Sequence, residues 1–402
     1  MKVIKTIIFL FAISISSYGA EFVQIGDANS NFEGESPLPE MHYRVAKHIP
    51  QHDTDIIVGI VDHGFWKVNY DPLKEKNYWV NDDEIPNNGI DDDGNGYIDD
   101  IHGWDYVTDN PDPFEDSLDS HGISIAGIIV DDTTYPNAGI NPDAKLMFLR
   151  WDDINGKPFS ENSVSGGIRY IADNTKDNER CIINMSWVVV DNDDYVIRNA
   201  MQHAADVKGC LLLGATDNYD GLNDGIYNAP SGTDFKEYVY TVTGLTPDEM
   251  QRVTGEYGKS AAYGESMKFG APFKIRPGDP TYSYIQGTSF STPIIVALAS
   301  LVWGNDPSLT ADEVVDKLYE YGTIIEDSAH SFEYKKIDTV ALVESYVDLY
   351  TKIVETDYDG DGFTEQLHFE ISTLKDTGEF NKGYLTHILE EDGTLYSVFQ
   401  EL

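Results

Sequence analysis

The sequence predicts an α/β fold, with a mainly parallel sheet, helices on both faces, and a small C-terminal β extension. Three observations predict it. Short β-branched apolar runs alternate with helix-length stretches from residue 51 to residue 345. The first run, Ile56-Ile-Val-Gly-Ile-Val61, has no polar alternation, as expected of a strand covered on both faces. After residue 351 the pattern changes to three strand-like runs, with Glu391-Asp392-Gly393 as a hairpin turn.

Residues 1–19 read as a secretory signal. Lys2 and Lys5 open it, Ile7 to Ile15 is apolar but too short to span a membrane, and Ser17-Tyr18-Gly19 offers a small-x-small cleavage pattern. Residues 20–50 are polar and contain Pro37, Pro39 and Pro50. The main domain covers 51–350. Its expected strands are Ile56 to Val61, Ala144 to Leu149, Ile182 to Met185, Leu211 to Leu213 and Val239 to Val242. Its expected helices are His121 to Ile129, Ser163 to Asp173, Asp194 to Val207 and Pro293 to Val302. A further helix starts at Thr310, with Glu313 completing a capping box. Residues 351–402 form the β extension, with strands at Gln366 to Ile371, Lys382 to Leu389 and Thr394 to Phe399.

The chain carries 70 acidic and 27 basic residues, a formal charge of −43. That charge excludes nucleic acid and anionic membrane as partners. No later stretch is long and apolar enough for a membrane span. The acidity is concentrated, since residues 77 to 144 hold 17 acids and no Lys or Arg. A cationic imidazole at His121 is favoured in such surroundings. Cys181 and Cys210 each precede an apolar run. On neighbouring parallel strands they start side by side, and export permits a disulfide; two buried thiols are the alternative.

Two acidic loops have oxygen side chains at alternate positions with glycines between, the pattern that wraps one hard cation. In the first, Asp91, Asp93, Asn95 and Asp99 offer side chains and Tyr97 a backbone carbonyl. The second has the same alternation at Asp357, Asp359, Asp361, Phe363 and Glu365. Structural Ca2+ is expected at both, against the alternative of solvated acidic turns.

Three segments carry chemistry. Asp62 follows the first apolar run, at the C-terminal end of its strand, where α/β proteins place reacting groups. His121 opens a run of small and apolar residues suited to a tightly packed helix. Ser289, in Gly287-Thr-Ser-Phe-Ser-Thr-Pro293, lies where a loop becomes a helix, with Pro293 in a first helical turn. Backbone N–H groups at such a start favour negative charge. An α/β-hydrolase elbow is excluded, because Ser291 stands where its second glycine belongs.

These motifs, Val61-Asp62-His63-Gly64, His121-Gly122 and Gly287 to Pro293, resemble those of subtilisin-like serine proteases, the subtilases. The resemblance covers roughly residues 50 to 345. It implies a doubly wound subtilisin-like fold and peptide-bond hydrolysis through an acyl-enzyme. Ser289 is then the nucleophile, His121 the general base, and Asp62 the group that orients it. A polypeptide substrate, a secreted location and a monomer are the matching expectations.

Three places depart from that family's pattern. The oxyanion-hole asparagine is expected after a strand ending Ala-Gly-Asn, and this chain reads Gly214-Ala-Thr-Asp217-Asn218. Asp217 aligns directly, and a one-residue shift selects Asn218. At the substrate edge, Ser186-Trp187-Val188-Val189 replaces a glycine-containing segment and narrows or reshapes the cleft. Phe273 follows Pro272 where the family usually has glycine. The expected function is a secreted, calcium-stabilised serine endopeptidase; a catalytically weak peptide-binding protein of the same fold is the alternative.

Overall fold

The computed structural model describes residues 23–24, 43, 45–52, 54–66, 75–114, 119–130, 139–152, 160–190, 195–222, 228–246, 249–255, 258–275, 285–356, 365–389 and 395–401. The strands, in chain order, begin with β1 (Val23–Gln24), β2 (Ile56–Asp62), β3 (Gly103–Asp105), β4 (Lys145–Arg150), β5 (Arg180–Met185) and β6 (Val189–Val190). Next come β7 (Leu211–Ala215), β8 (Asn228–Ala229), β9 (Val239–Leu245), β10 (Met267–Pro272), β11 (Lys274–Ile275) and β12 (Ile285–Gln286). The last six are β13 (Gly322–Asp327), β14 (Phe332–Ile337), β15 (Val347–Thr356), β16 (Glu365–Leu374), β17 (Phe380–Leu389) and β18 (Leu395–Glu401).

Nine strands form the main sheet in the order β13-β14-β10-β9-β7-β5-β2-β4-β3. Only β13 runs antiparallel to its neighbour, β14. From β2 the chain fills one side with β3 at the edge and then β4, and crosses to build away on the other side through β5 and β7, so β2 lies at the topological switch point. Successive side chains of each central strand face opposite layers. Val58 and Ile60 join one core with Leu146, Phe148, Leu211 and Leu213. Ile57 and Val61 join the other with Met147, Leu149 and Leu212. That two-sided burial is why these strands read as unbroken apolar runs.

The helices divide accordingly. His121–Val130 and Thr288–Asn305 pack in the first layer, and Glu161–Asn174 and Val196–Gln202 in the second. Thr288–Asn305 is buried on all sides, which explains its lack of a polar face. It begins five residues before the expected start at Pro293, because small polar residues fill its first turn. The capping box of helix Ala311–Glu320 is present at Thr310 and Glu313. Of the expected helix from Asp194 to Val207, Val196–Gln202 is α-helical and His203–Val207 is a π-turn, while Asp194 lies outside the described residues. Cys181 and Cys210 form a disulfide across the starts of β5 and β7, with Cα atoms 4.6 Å apart.

The second sheet has the order β1-β15-β16-β17-β18 and is antiparallel throughout. It takes in β15, which starts before residue 351. His48, fully buried, ties the N-terminal segment to this sheet. Its Nδ1 lies 2.8 Å from Ser372 Oγ, its carbonyl accepts from Asn381 Nδ2 at 2.8 Å, and its ring meets the Tyr384 ring edge to face. Residues 1–19 lie outside the described residues.

Candidate active site

Asp62 ends β2 and is fully buried. The helix His121–Val130 starts directly against the residues that follow it. Gly122 N–H donates to the His63 carbonyl at 2.8 Å, and Ile123 N–H to the Gly64 carbonyl at 3.2 Å. Two of the helix's unpaired first-turn donors are thereby satisfied by the strand's exit. This docking sets His121 Nδ1 2.6 Å from Asp62 Oδ1. Gly64 makes the approach possible. Its φ is +71°, and a Cβ there would stand 2.6 Å from His121 N and 2.5 Å from Asp119 Oδ1.

Ser289 is the second residue of its helix, half-buried between buried Thr288 and Phe290. Its Oγ donates to the Ser186 carbonyl at 3.0 Å, and the Ser186 hydroxyl donates to the Ser289 carbonyl at 2.8 Å. Pro293 lies four residues on and has no N–H for that carbonyl, so the side-chain donor takes the place of a helical one. Asn184 Nδ2 in turn donates to Ser186 Oγ at 2.9 Å. No hydrogen bond joins Ser289 to His121 among the described residues. The Phe290 ring lies 5.3 Å from the His121 ring, so the serine helix and the histidine face each other.

The structure separates Asp217 from Asn218. Asn218 Oδ1 accepts from Thr288 N–H at 3.0 Å and lies 3.4 Å from Thr288 Oγ1. Its amide donors are thus held at the start of the serine helix. Gly287, with φ +146°, permits the contact, because a Cβ there would lie 3.2 Å from Asn218 Oδ1. Among the described residues no hydrogen bond joins the Asp217 side chain to Thr288 or Ser289. Burial pushes its carboxyl up from the ordinary value. Of the residues at the expected substrate edge, Ser186 supports Ser289 and Val188 is half-buried. The Trp187 side chain turns into the core at 7% exposure, donates to the Val61 carbonyl at 2.8 Å and packs on Trp151. Its burial follows from the apolar layer beneath β2. The chain just beyond, β6, pairs with β8.

Motif reading did not single out His63 or Asp119. His63 Nδ1 lies 2.6 Å from Asp119 Oδ2, and its ring stacks on His121 with centroids 4.7 Å apart and planes 16° off parallel. Burial alone would push His63 down. The hydrogen bond to Asp119 and the charges of Asp62, Asp119 and Asp152 outweigh it and raise the imidazole from 6.5 to about 9. Burial likewise opposes ionisation of Asp119, but the hydrogen bond with His63 wins and holds its carboxyl below the ordinary value. The signal lay in the motif segments themselves, with His63 directly after Asp62 and Asp119 two residues before His121.

The first acidic loop gathers a different carboxylate set from the alternating one. Asp91 accepts from the backbone N–H groups of Gly94, Asn95 and Gly96, and Asp99 from those of Asn88 and Gly89. Asn95 Oδ1 accepts from Tyr97 N–H. The Tyr97 ring packs on Trp104 and Tyr170. Glu84, Asp93 and Asp100 instead bring one carboxylate oxygen each within 4.8 Å of one another. Glu84 and Asp100 are buried, and the amides of Asn81 and Asn95 bridge Asp93 and Asp100. In the second loop, Asp357, Asp359, Asp361 and Phe363 lie outside the described residues, and Glu365 is described only as the first residue of β16.

Comparison with known proteins identifies the family and the fold. The model of the subtilase family, peptidase S8, matches residues 53–338. Subtilisin-like protease 1 of Plasmodium berghei (strain Anka) is 26% identical over 295 residues, 67% of this chain and 46% of that protein. The cell wall-associated protease of Bacillus subtilis is 29% identical over 221 residues, 54% of this chain and 22% of that one. The chain thus spans about half, or less, of the curated relatives it matches. Among solved structures, MycP1 from Mycobacterium smegmatis shares the fold with a TM-score of 0.53 at 19% identity, over 79% of this chain and 86% of that one. With the match running across most of the main sheet and through all three motif segments, the chain belongs to the subtilase family.

Proposed function

We propose that this protein is an exported serine endopeptidase. The observation that carries the reading is the convergence of Asp62, His121 and the serine helix at the switch point of the sheet. In this mechanism Ser289 Oγ leaves the Ser186 carbonyl by a side-chain rotation and attacks the peptide carbonyl. Its proton passes to His121 Nε2, while Asp62 holds Nδ1. The oxyanion forms against the Ser289 N–H, which has no partner among the described residues, and the amide of Asn218. His121 then protonates the leaving amine, and water repeats the sequence in reverse to release the acid.

Export is supported by the signal-like residues 1–19 and by the Cys181–Cys210 disulfide. Among the described residues no helix is long and apolar enough to cross a membrane. Structural calcium fits Glu84, Asp93 and Asp100, whose converging carboxylates form a donor set suited to a hard cation. Calcium there would offset their mutual repulsion and fix the loop before His121; no chemical step needs it.

The second reading is a weak peptide-binding protein of the same fold. The engagement of Ser289 Oγ by Ser186 rather than by His121 favours it. Labelling by a serine-directed phosphonate separates the two. The enzyme reading expects labelling of wild type and none of Ser289→Ala. Unlabelled wild type between pH 5 and 9 would sink it.

A further inference from the structure

We propose that His63 is a positioning residue for His121: clamped by Asp119, it lies flat on the base and sets a second, fixed positive charge against it. The inference rests on the peptidase reading of the site, in which His121 takes and gives the proton.

Four contacts build the arrangement. Asp119 Oδ2 holds His63 Nδ1 at 2.6 Å, and its Oδ1 accepts from the His121 N–H at 3.2 Å, so one carboxylate serves both histidines. Asp62 Oδ1 does the same from the other side, with His121 Nδ1 at 2.6 Å and the His63 N–H at 2.8 Å. The rings between them are stacked at 4.7 Å. His63 therefore cannot tilt without losing a carboxylate, and His121 cannot tilt away from Asp62 without leaving the His63 face.

The charges facing the two rings come from several elements. β2 brings Asp62, the approach to the histidine helix brings Asp119, and the segment after β4 brings Asp152. The serine helix brings Phe290 and no charge, and Ser186 to Val188 bring none. β4 ends in Arg150, in register with Asp62, and its guanidinium is taken by Asp105 at 2.8 Å, which leaves His63 as the cation stacked on His121. A proton on His121 removes the base. A cation stacked on the ring opposes a second proton there by like-charge repulsion. The pair thus keeps the base available at lower pH and makes its protonated form a readier donor to the leaving amine.

The test uses imidazole 15N titrations on the full chain in the Ser289→Ala background, which needs no activity. In His63→Gln, which can still hydrogen-bond Asp119 but carries no charge, the His121 titration should move upward by about one pH unit. An unchanged or lower titration overturns the proposal. His63→Lys restores the charge and should return it; failure to return also overturns it. Asp119→Asn should drop the His63 titration from about 9 toward 6.5, and no drop would mean that Asp119 is not the clamp. In the active chain the acid limb of kcat/KM should follow the same upward shift, whereas mere structural damage lowers the whole profile without moving the limb. If wild type proves inactive, the peptidase reading fails, while the titrations still decide the role of His63.

Discussion

Ser289 and Ser186 exchange two hydrogen bonds. The Ser289 hydroxyl donates to the Ser186 carbonyl at 3.0 Å, and the Ser186 hydroxyl to the Ser289 carbonyl at 2.8 Å. Pro293 is the reason this exchange is needed, since it withholds the helical N–H from Ser289. The substrate edge and the nucleophile are thereby joined at one point, and Asn184 steadies the join from below.

Ser186→Ala removes the donor and leaves the Ser289 carbonyl short of a partner. The expected cost is about 1–2 kcal/mol of stability, read as a lowered urea midpoint with unchanged slope. An unaltered midpoint would show that the exchange carries no net stability.

Asn218→Ala should lower kcat by a factor on the order of 10²–10³ with little change in KM, the signature of a lost oxyanion donor. Asp217→Asn should leave kcat within about threefold, because Asp217 makes no hydrogen bond to Thr288 or Ser289 among the described residues; a single oxyanion donor lost costs far more than that. Steady-state kinetics on one peptide substrate check both. The reverse ranking would move the oxyanion role to Asp217.

The His63–Asp119 pair gives stability a pH dependence with a definite sign. His63 is raised in the folded chain, from 6.5 to about 9. Its contribution is fully present below pH 6.5 and is lost as pH rises through about 9. Asp119 is lowered from 3.8, so its share is present above that value and fades as pH falls through the folded-state titration. The stability gap between wild type and His63→Gln should therefore be widest between these limits and close on the alkaline side. Chemical denaturation at a series of pH values measures it, and a gap that grows toward pH 9 would contradict the assignment.

Removing calcium should lower Tm, and re-adding it to the chelated chain should restore Tm. Asp93→Asn should blunt that response, while Asp99→Asn, which loses only backbone caps, should destabilise the loop yet keep the response. Melting curves with and without chelator decide this. Equal responses in all three proteins would remove Glu84, Asp93 and Asp100 as ligands.

The Cys181–Cys210 bridge closes a loop with a sequence separation of 29 residues. Reducing it, or Cys181→Ser with Cys210→Ser, should cost about 3.6 kcal/mol by the loop-entropy account. A shift in the denaturant midpoint well below 1 kcal/mol would mean that the reduced chain already holds β5 and β7 together.

By itself the sequence determined the alternation of buried strands and helices, the order of Asp62, His121 and Ser289, and the family they point to. These features are local: an apolar run, a capping box or a Gly-Thr-Ser turn is written in adjacent residues, and the physics that reads them acts over one or two turns of chain. Tertiary structure set Asn218 against Thr288, a contact between residues 70 positions apart that no local pattern announces. It turned Trp187 inward, since a bulky apolar side chain follows the layer beneath it rather than the cleft beside it. It brought Glu84 and Asp100, rather than Asp91 and Asp99, beside Asp93 in the acidic loop, a convergence that depends on how the loop folds back on itself. It also set His63 against His121. Two histidines 58 positions apart carry no local sign of stacking; only the docking of a helix start onto a strand end brings their rings together.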